Sequence, residues 1–131
     1  MLRAIDVMTE RPATVSINAT VSTAARLLED LQIRHLPVID DAGELVGILS
    51  DRDLRGTLGP SDEGAPPTTA TVVNIMSSDV IRALPDDELA DIAELMVDNR
   101  IGAVPIVDER GMLIGIVSYV DVLRSMLAHR R

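Results

Sequence analysis

Displaced by 68 positions, the 131-residue sequence lies on itself without a gap, residues 7–58 falling on residues 75–126. Met8 falls on Met76, Ala25 on Ala93, Leu27 on Leu95, Asp30 on Asp98 and Ile33 on Ile101. Pro37, Asp40, Gly43 and Leu45 fall on Pro105, Asp108, Gly111 and Leu113. Gly47, Ile48, Ser50 and Asp53 fall on Gly115, Ile116, Ser118 and Asp121. Most positions between them exchange Val, Ile, Leu and Met. A single register that keeps prolines, glycines and acids in step is a duplication, and it requires both halves to adopt one local structure.

Each half reads as β-α-β-β-α. A strand (Ala13–Ile17; Val80–Leu84) leads to a cap at Asn18 or Thr20, and at Asp86 in the second copy. A helix follows, with Val21, Ala24, Ala25 and Leu28 at helical spacing, mirrored by Leu89, Ile92, Ala93 and Met96. Two strands come next, Leu36–Ile39 and Leu45–Leu49, then Val104–Val107 and Leu113–Val117. The acidic turns that join them end in Gly43 and Gly111, where a hairpin needs positive φ. A second helix starts after Ser50 and after Ser118. The fold class is therefore α/β (α+β), built from two pseudo-twofold-related repeats, because one such unit cannot cover both faces of its own sheet. Repeat 1 spans 1–58 and repeat 2 spans 73–131. The connector, 59–72, is rich in Gly, Pro and Thr and reads as a flexible linker.

The core has to be aliphatic, since Tyr119 is the only aromatic residue. There is no cysteine, which excludes disulfides, thiolate chemistry and Cys-based metal sites. Twelve arginines, no lysine and 21 acids give a net charge of −9, a surface that repels nucleic acid and anionic membranes. No run reaches the ~18 apolar residues of a membrane span, and the N-terminus lacks the apolar stretch of a signal peptide. A cytoplasmic location is the expectation.

Two segments carry a family resemblance. Ile-Arg-His-Leu-Pro-Val-Ile-Asp (33–40) with Gly-Glu-Leu-Val-Gly-Ile-Leu-Ser-Asp-Arg-Asp-Leu (43–54) resembles a cystathionine β-synthase (CBS) domain. Ile-Gly-Ala-Val-Pro-Ile-Val-Asp (101–108) with Gly-Met-Leu-Ile-Gly-Ile-Val-Ser-Tyr-Val-Asp-Val (111–122) resembles a second. Together they resemble a tandem CBS pair, or Bateman module, across essentially the whole chain. The resemblance implies a regulatory module that binds an adenosine-containing ligand in clefts between the repeats and pairs into a homodimer.

Ser50-Asp51-Arg52-Asp53 and Ser118-Tyr119-Val120-Asp121 admit two readings. As caps, Ser at the N-cap and Asp at N3 satisfy free amides at a helix start. As ligand groups, the carboxylates can accept hydrogen bonds from ribose hydroxyls while the helix terminus faces phosphate. The resemblance maps the family's ribose-binding Asp onto Asp53 and Asp121, and its Ser/Thr onto Ser50 and Ser118. It also implies phosphate contacts for the basic residues before the second strand, Arg34 and His35, to which Arg52 adds a third cation. A guanidinium makes forked, permanently charged hydrogen bonds to phosphate. Repeat 2 has Gly102, Ala103 and Tyr119 at these positions, so the phosphate-binding site is expected around Asp53. Tyr119 can stack on a base or simply pack. Pro37 and Pro105 open strands, and the resemblance implies that backbone at Leu36 and Val104 frames an adenine.

No His–carboxylate–Ser order and no metal-ligand spacing is present, and the two histidines, His35 and His129, lie far apart in sequence. Neither catalytic nor metal-binding residues are expected, and no obligatory cofactor. The expectation is a homodimeric sensor of an adenine nucleotide (AMP, ADP, ATP or a relative such as S-adenosylmethionine) that signals to an effector protein. The alternatives are a ligand-free dimerisation scaffold and a regulatory fragment of a larger enzyme or transporter.

Overall fold

Both acidic turns close as their residues require. Asp40 accepts from the amides of Ala42 and Glu44 at 3.0 and 2.9 Å, and Asp108 from Arg110 and Met112 at 2.9 and 3.0 Å. Gly43 and Gly111 then take φ of 87° and 84°, a region that other residues enter only with strain. The hairpins on either side are β3 (His35–Ile39) with β4 (Leu45–Ser50), and β5 (Ala103–Val107) with β6 (Leu113–Ser118). The computed structural model describes residues 1–57 and 70–129.

The remaining elements are α1 (Ala4–Val7), β1 (Thr9–Glu10), β2 (Val15–Ser16), α2 (Val21–Leu31), α3 (Asp51–Thr57), α4 (Leu89–Asn99) and α5 (Tyr119–Ala128), with a 3-10 turn at Val72–Asn74. Two compact units result. One is Ala13–Val80, with the sheet β2-β3-β4; the other joins Met1–Pro12 to Ile81–Arg131, with the sheet β1-β6-β5. We call them the repeat-1 and repeat-2 units. The lead-in of each repeat is thus built into the unit of the other. Val72 N donates to Ala19 O in one unit, as Ala4 N donates to Asp87 O in the other. The bridge Ile48↔Ser77 has its counterpart in the pairing of Thr9 with Ile116.

Methionine and glycine explain why these segments seat in one register. A Cβ at Gly47 would run into the Sδ of Met76, and one at Gly115 into the Sδ of Met8. Each thioether therefore occupies the space of an absent side chain. Both strand glycines are fully enclosed, the close approach that glycine in a strand often marks.

The two cores use matched positions with exchanged sizes. Ala24, Leu36, Val38 and Leu49 in one unit correspond to Ile92, Val104, Ile106 and Val117 in the other, all buried. Growth at one position is offset by loss at another, as a core of conserved volume requires.

Three expectations need correction. The strand expected over Ala13–Ile17 pairs only at Val15–Ser16, in parallel with β3. Over Val80–Leu84 only a single bridge forms, Ala83 to Ile106, because the chain leaves the sheet at Pro85 for the turn in which Leu84 N donates to Asp87. Asp86 does not cap α4. Glu88 holds the N-cap position without a side-chain bond, and Asp86 is exposed, 3.7 Å from Arg3. The α4 amide at Leu89 is satisfied by Leu2 O, as the α2 amide at Val21 is by Ala70 O. Thr20 caps α2 as expected, accepting from Thr23 N. Of the connector, 59–69 lies outside the described residues. Thr71 bridges Thr20, and Val72 is fully buried in the repeat-1 core.

Candidate functional site

The end of a hairpin strand and the start of a helix meet at one corner of each unit. In the repeat-1 unit β4 runs directly into α3. Ser50 N donates to Asp53 Oδ2 at 2.9 Å, and Asp53 N donates to Ser50 Oγ at 3.1 Å. This is a reciprocal capping box, which satisfies two amides that a helix start leaves open. The corner is tied to β3 as well: His35 stands opposite Ser50, and Asp51 N donates to Arg34 O at 2.9 Å.

The repeat-2 unit builds the same corner. Ser118 N donates to Asp121 Oδ2 at 2.8 Å, Ser118 Oγ to the same oxygen at 3.1 Å, and Asp121 N to Ser118 Oγ at 3.3 Å. Ala103 stands opposite Ser118, and Tyr119 N donates to Gly102 O at 2.9 Å. The capping reading is therefore realised in both copies. It does not consume the carboxylates: among the described residues the boxes use Oδ2, and Oδ1 of each aspartate has no hydrogen bond.

Charge separates the two corners. Around Ser50 the structure gathers Arg34, His35, Asp51, Arg52 and Asp53. Arg34 and Arg52 are exposed, and among the described residues no ion pair engages either guanidinium. His35 is half-buried, and its pKa lies below the usual imidazole range. Desolvation is the main cause and Arg34 adds to it, against the opposing pull of Asp51 and Asp53. At the second corner Gly102, Ala103 and Tyr119 replace these groups, and Tyr119 is partly exposed.

Leu36, Pro37 and Val104 do not reach a surface. All three are fully buried, and Leu36 and Val104 belong to the two cores. The histidine at the other end of the chain is also local in role: His129 Nδ1 lies 2.9 Å from Ser125 O at the end of α5. A feature that sequence reasoning missed is a groove of about 400 Å³ between α2 and α3. Ala25, Leu28, Ile33 and Leu54 floor it, and Glu29, Gln32, Arg34 and Asp51 rim it. Its apolar residues read only as core in the helical pattern. Among the described residues no helix is long and apolar enough to cross a membrane.

Comparison with known proteins bears on this geometry. The family model described as CBS domain matches residues 4–59 and again 72–128. The CBS domain-containing protein YhcV of Bacillus subtilis is 35% identical over 126 residues, covering 95% of this chain and 85% of that protein. An inosine-5'-monophosphate dehydrogenase of Methanocaldococcus jannaschii is 36% identical over 93% of this chain. A homoserine O-acetyltransferase of Methanococcoides burtonii is 36% identical over 91% of it. The chain spans only 23% of either enzyme. Among solved structures, CBSX2 in complex with AMP superposes with a TM-score of 0.88 at 30% identity, each chain wholly covered. The CBS domain pair of protein MJ0100, in complex with 5-methylthioadenosine and S-adenosyl-L-methionine, gives a TM-score of 0.88 at 29% identity over 99% of both chains.

Proposed function

The chain belongs to the CBS domain family as a tandem pair, and from that premise we propose that it is a non-catalytic sensor of an adenosine-containing ligand. The observation that carries this reading is the corner at Ser50–Asp53, where one rigid cap brings together a carboxylate oxygen and two guanidinium groups that have no partner among the described residues. Asp53 Oδ1 is the acceptor for ribose hydroxyls, while its Oδ2 keeps α3 in place. Arg34, Arg52 and His35 supply the positive groups for phosphate. The acidic chain as a whole would repel such an anion, so recognition falls to these few side chains. The corner at Ser118–Asp121 keeps the ribose acceptor and lacks the cations, which suits a less charged adenosine derivative. Two similar structures were solved with AMP and with 5-methylthioadenosine and S-adenosyl-L-methionine, in keeping with this ligand class.

Signalling then requires differential affinity of the ligand for two conformations of the chain, read by an effector protein. We take the active form to be a homodimer. The chain's match to a segment of larger enzymes favours a second reading, in which it regulates a catalytic domain on the same polypeptide.

A thermal-shift panel of AMP, ADP, ATP, S-adenosylmethionine and adenosine tests the proposal. A ligand at 100 times its Kd stabilises by about 2.7 kcal/mol, a clear rise in melting temperature. Asp53→Ala should lower the unliganded melting point through the lost cap, at a cost of about 1 kcal/mol, and also abolish the ligand shift. Arg52→Ala should leave the unliganded protein unchanged and weaken only phosphate-bearing ligands. No shift with any adenosine compound would sink the sensor reading. Loss of all binding in Asp121→Ala alone would reverse the ranking of the two corners.

A further inference from the structure

Methionine is the only sulfur this chain carries: six residues, with no cysteine to compete for an oxidant. Their settings differ. Met1 and Met126 are largely exposed, Met96 is buried in the repeat-2 core, and Met8, Met76 and Met112 are partly buried. Of these last three, Met76 packs against the repeat-1 core and Met8 against the repeat-2 core. Both are therefore within reach of solvent at one side and of apolar neighbours at the other.

Met76 holds its segment chiefly by its side chain. Its Sδ fills the place of a Cβ at Gly47, and its Cγ and Cε lie 3.1 and 3.2 Å from the same point. The backbone beside it makes a single bridge, in which Ile48 and Ser77 exchange amide bonds of 3.0 Å. Met8 has more support. Thr9 and Glu10 pair with β6 over two residues, and the carbonyl oxygen of Thr9 lies 3.1 Å from the Cβ position at Gly115. Docking in the repeat-1 unit thus depends on a thioether where its twin depends on backbone as well. Upstream, Val72 is fully buried and its N–H donates to Ala19 O, so loss of the Met76 contact frees only the stretch around Ser77.

Hydrogen peroxide converts a thioether to a sulfoxide. A sulfur lone pair bonds one peroxide oxygen as the O–O bond breaks, and the hydroxide released takes that oxygen's proton and leaves as water. Sulfur is oxidised by two electrons and the peroxide is reduced by two. The product is polar, and sulfoxide reductases restore the thioether. At Met76 the new oxygen cannot point at Gly47, which the sulfur already touches, and among the apolar neighbours it would be an unsatisfied acceptor. An unbranched side chain has the freedom to swing out to water instead. The contact with Gly47 is then lost while the core stays in place, which is release and not unfolding.

We propose that Met76 is a reversible oxidation site: reduced, it holds the stretch around Ser77 on β4, and oxidised by a peroxide it lets that stretch go. Gly47 lies three residues before Ser50, so release loosens the strand that runs into the corner. The device stands whether or not the corner binds a nucleotide. Amide exchange followed by NMR tests it. After peroxide treatment Ile48 and Ser77 should exchange about tenfold faster, as expected when a buried polar group loses its partners, and the amides of β1 and β6 should change far less. A sulfoxide reductase should restore the slow rates. Met76→Leu, close in volume and inert to peroxide, should keep slow exchange after treatment, whereas Met76→Gln should exchange fast without it. If leucine itself loosens the segment, the wild-type time course decides: exchange must rise in step with sulfoxide at Met76, followed by peptide mass spectrometry, and not with that at Met8 or Met112. Sulfoxide at Met76 with Ile48 and Ser77 still slow overturns the proposal. So does a Met76 that stays reduced while Met126 is fully oxidised, or an acceleration that persists in Met76→Leu.

Discussion

His35 is the residue on which charge, burial and site geometry converge. Its neighbours Arg34, Asp51 and Asp53 pull in opposite directions, and desolvation leaves the neutral form favoured. The unfolded chain then binds the proton more readily, so the stability linked to His35 is full above the ordinary imidazole value of about 6.5. It is lost as pH falls through the lowered folded-state value. Urea unfolding between about pH 7.5 and about pH 5.5 should show this loss, and His35→Gln should flatten it. An anion bound at the same corner favours the imidazolium. Above the second ionisation of the phosphate, at about pH 6, AMP should therefore bind with uptake of a proton measurable by calorimetry in two buffers, whereas adenosine should not. AMP binding without proton uptake would show that His35 does not face the phosphate.

At the scale of elements, the methionine–glycine contacts decide how each lead-in docks. The two contacts differ in what surrounds the missing Cβ. At Gly47 the three nearest atoms all belong to the side chain of Met76, which can swing away. At Gly115 the carbonyl oxygen of Thr9 lies 3.1 Å away as well, and backbone cannot yield. Gly115→Ala should therefore cost about 1–3 kcal/mol by overpacking, and Gly47→Ala less. Adding Met76→Ala to Gly47→Ala should recover most of that loss, while Met8→Ala should recover only part at Gly115. Equal costs and equal rescue in the two cycles would mean that the thioethers alone set the spacing.

For the whole molecule, the exchange of lead-ins makes the units unequal in chain continuity. The repeat-1 unit is one segment, Ala13–Val80, whereas the repeat-2 unit needs both ends of the chain. Ala4 is fully buried in the repeat-2 core, and β1 forms an edge of its sheet. Deleting residues 1–12 should lower hydrogen-exchange protection across β5, β6 and α4 and leave β3 and β4 protected. Uniform loss across both units would indicate that they unfold only together.

Much was legible in the sequence alone because the duplication doubles every local signal. Two hairpins, four of the helices and both capping boxes follow from residues within a few positions of one another. Asp40-x-x-Gly43 and Asp108-x-x-Gly111 close turns, and Ser50-x-x-Asp53 and Ser118-x-x-Asp121 cap helices, through bonds that reach no further than four residues. The asymmetry of charge between the corners was equally open to a residue-by-residue comparison of the copies. Tertiary structure alone decided which partner each lead-in takes. The pairing of Met8 with Gly115 spans most of the chain, and no local propensity encodes it. Tertiary structure also decided that Leu36 and Val104 face a core, and that α5 turns its apolar arc outward. Helical periodicity marks a face as apolar but not what covers it, because burial depends on which distant surfaces arrive.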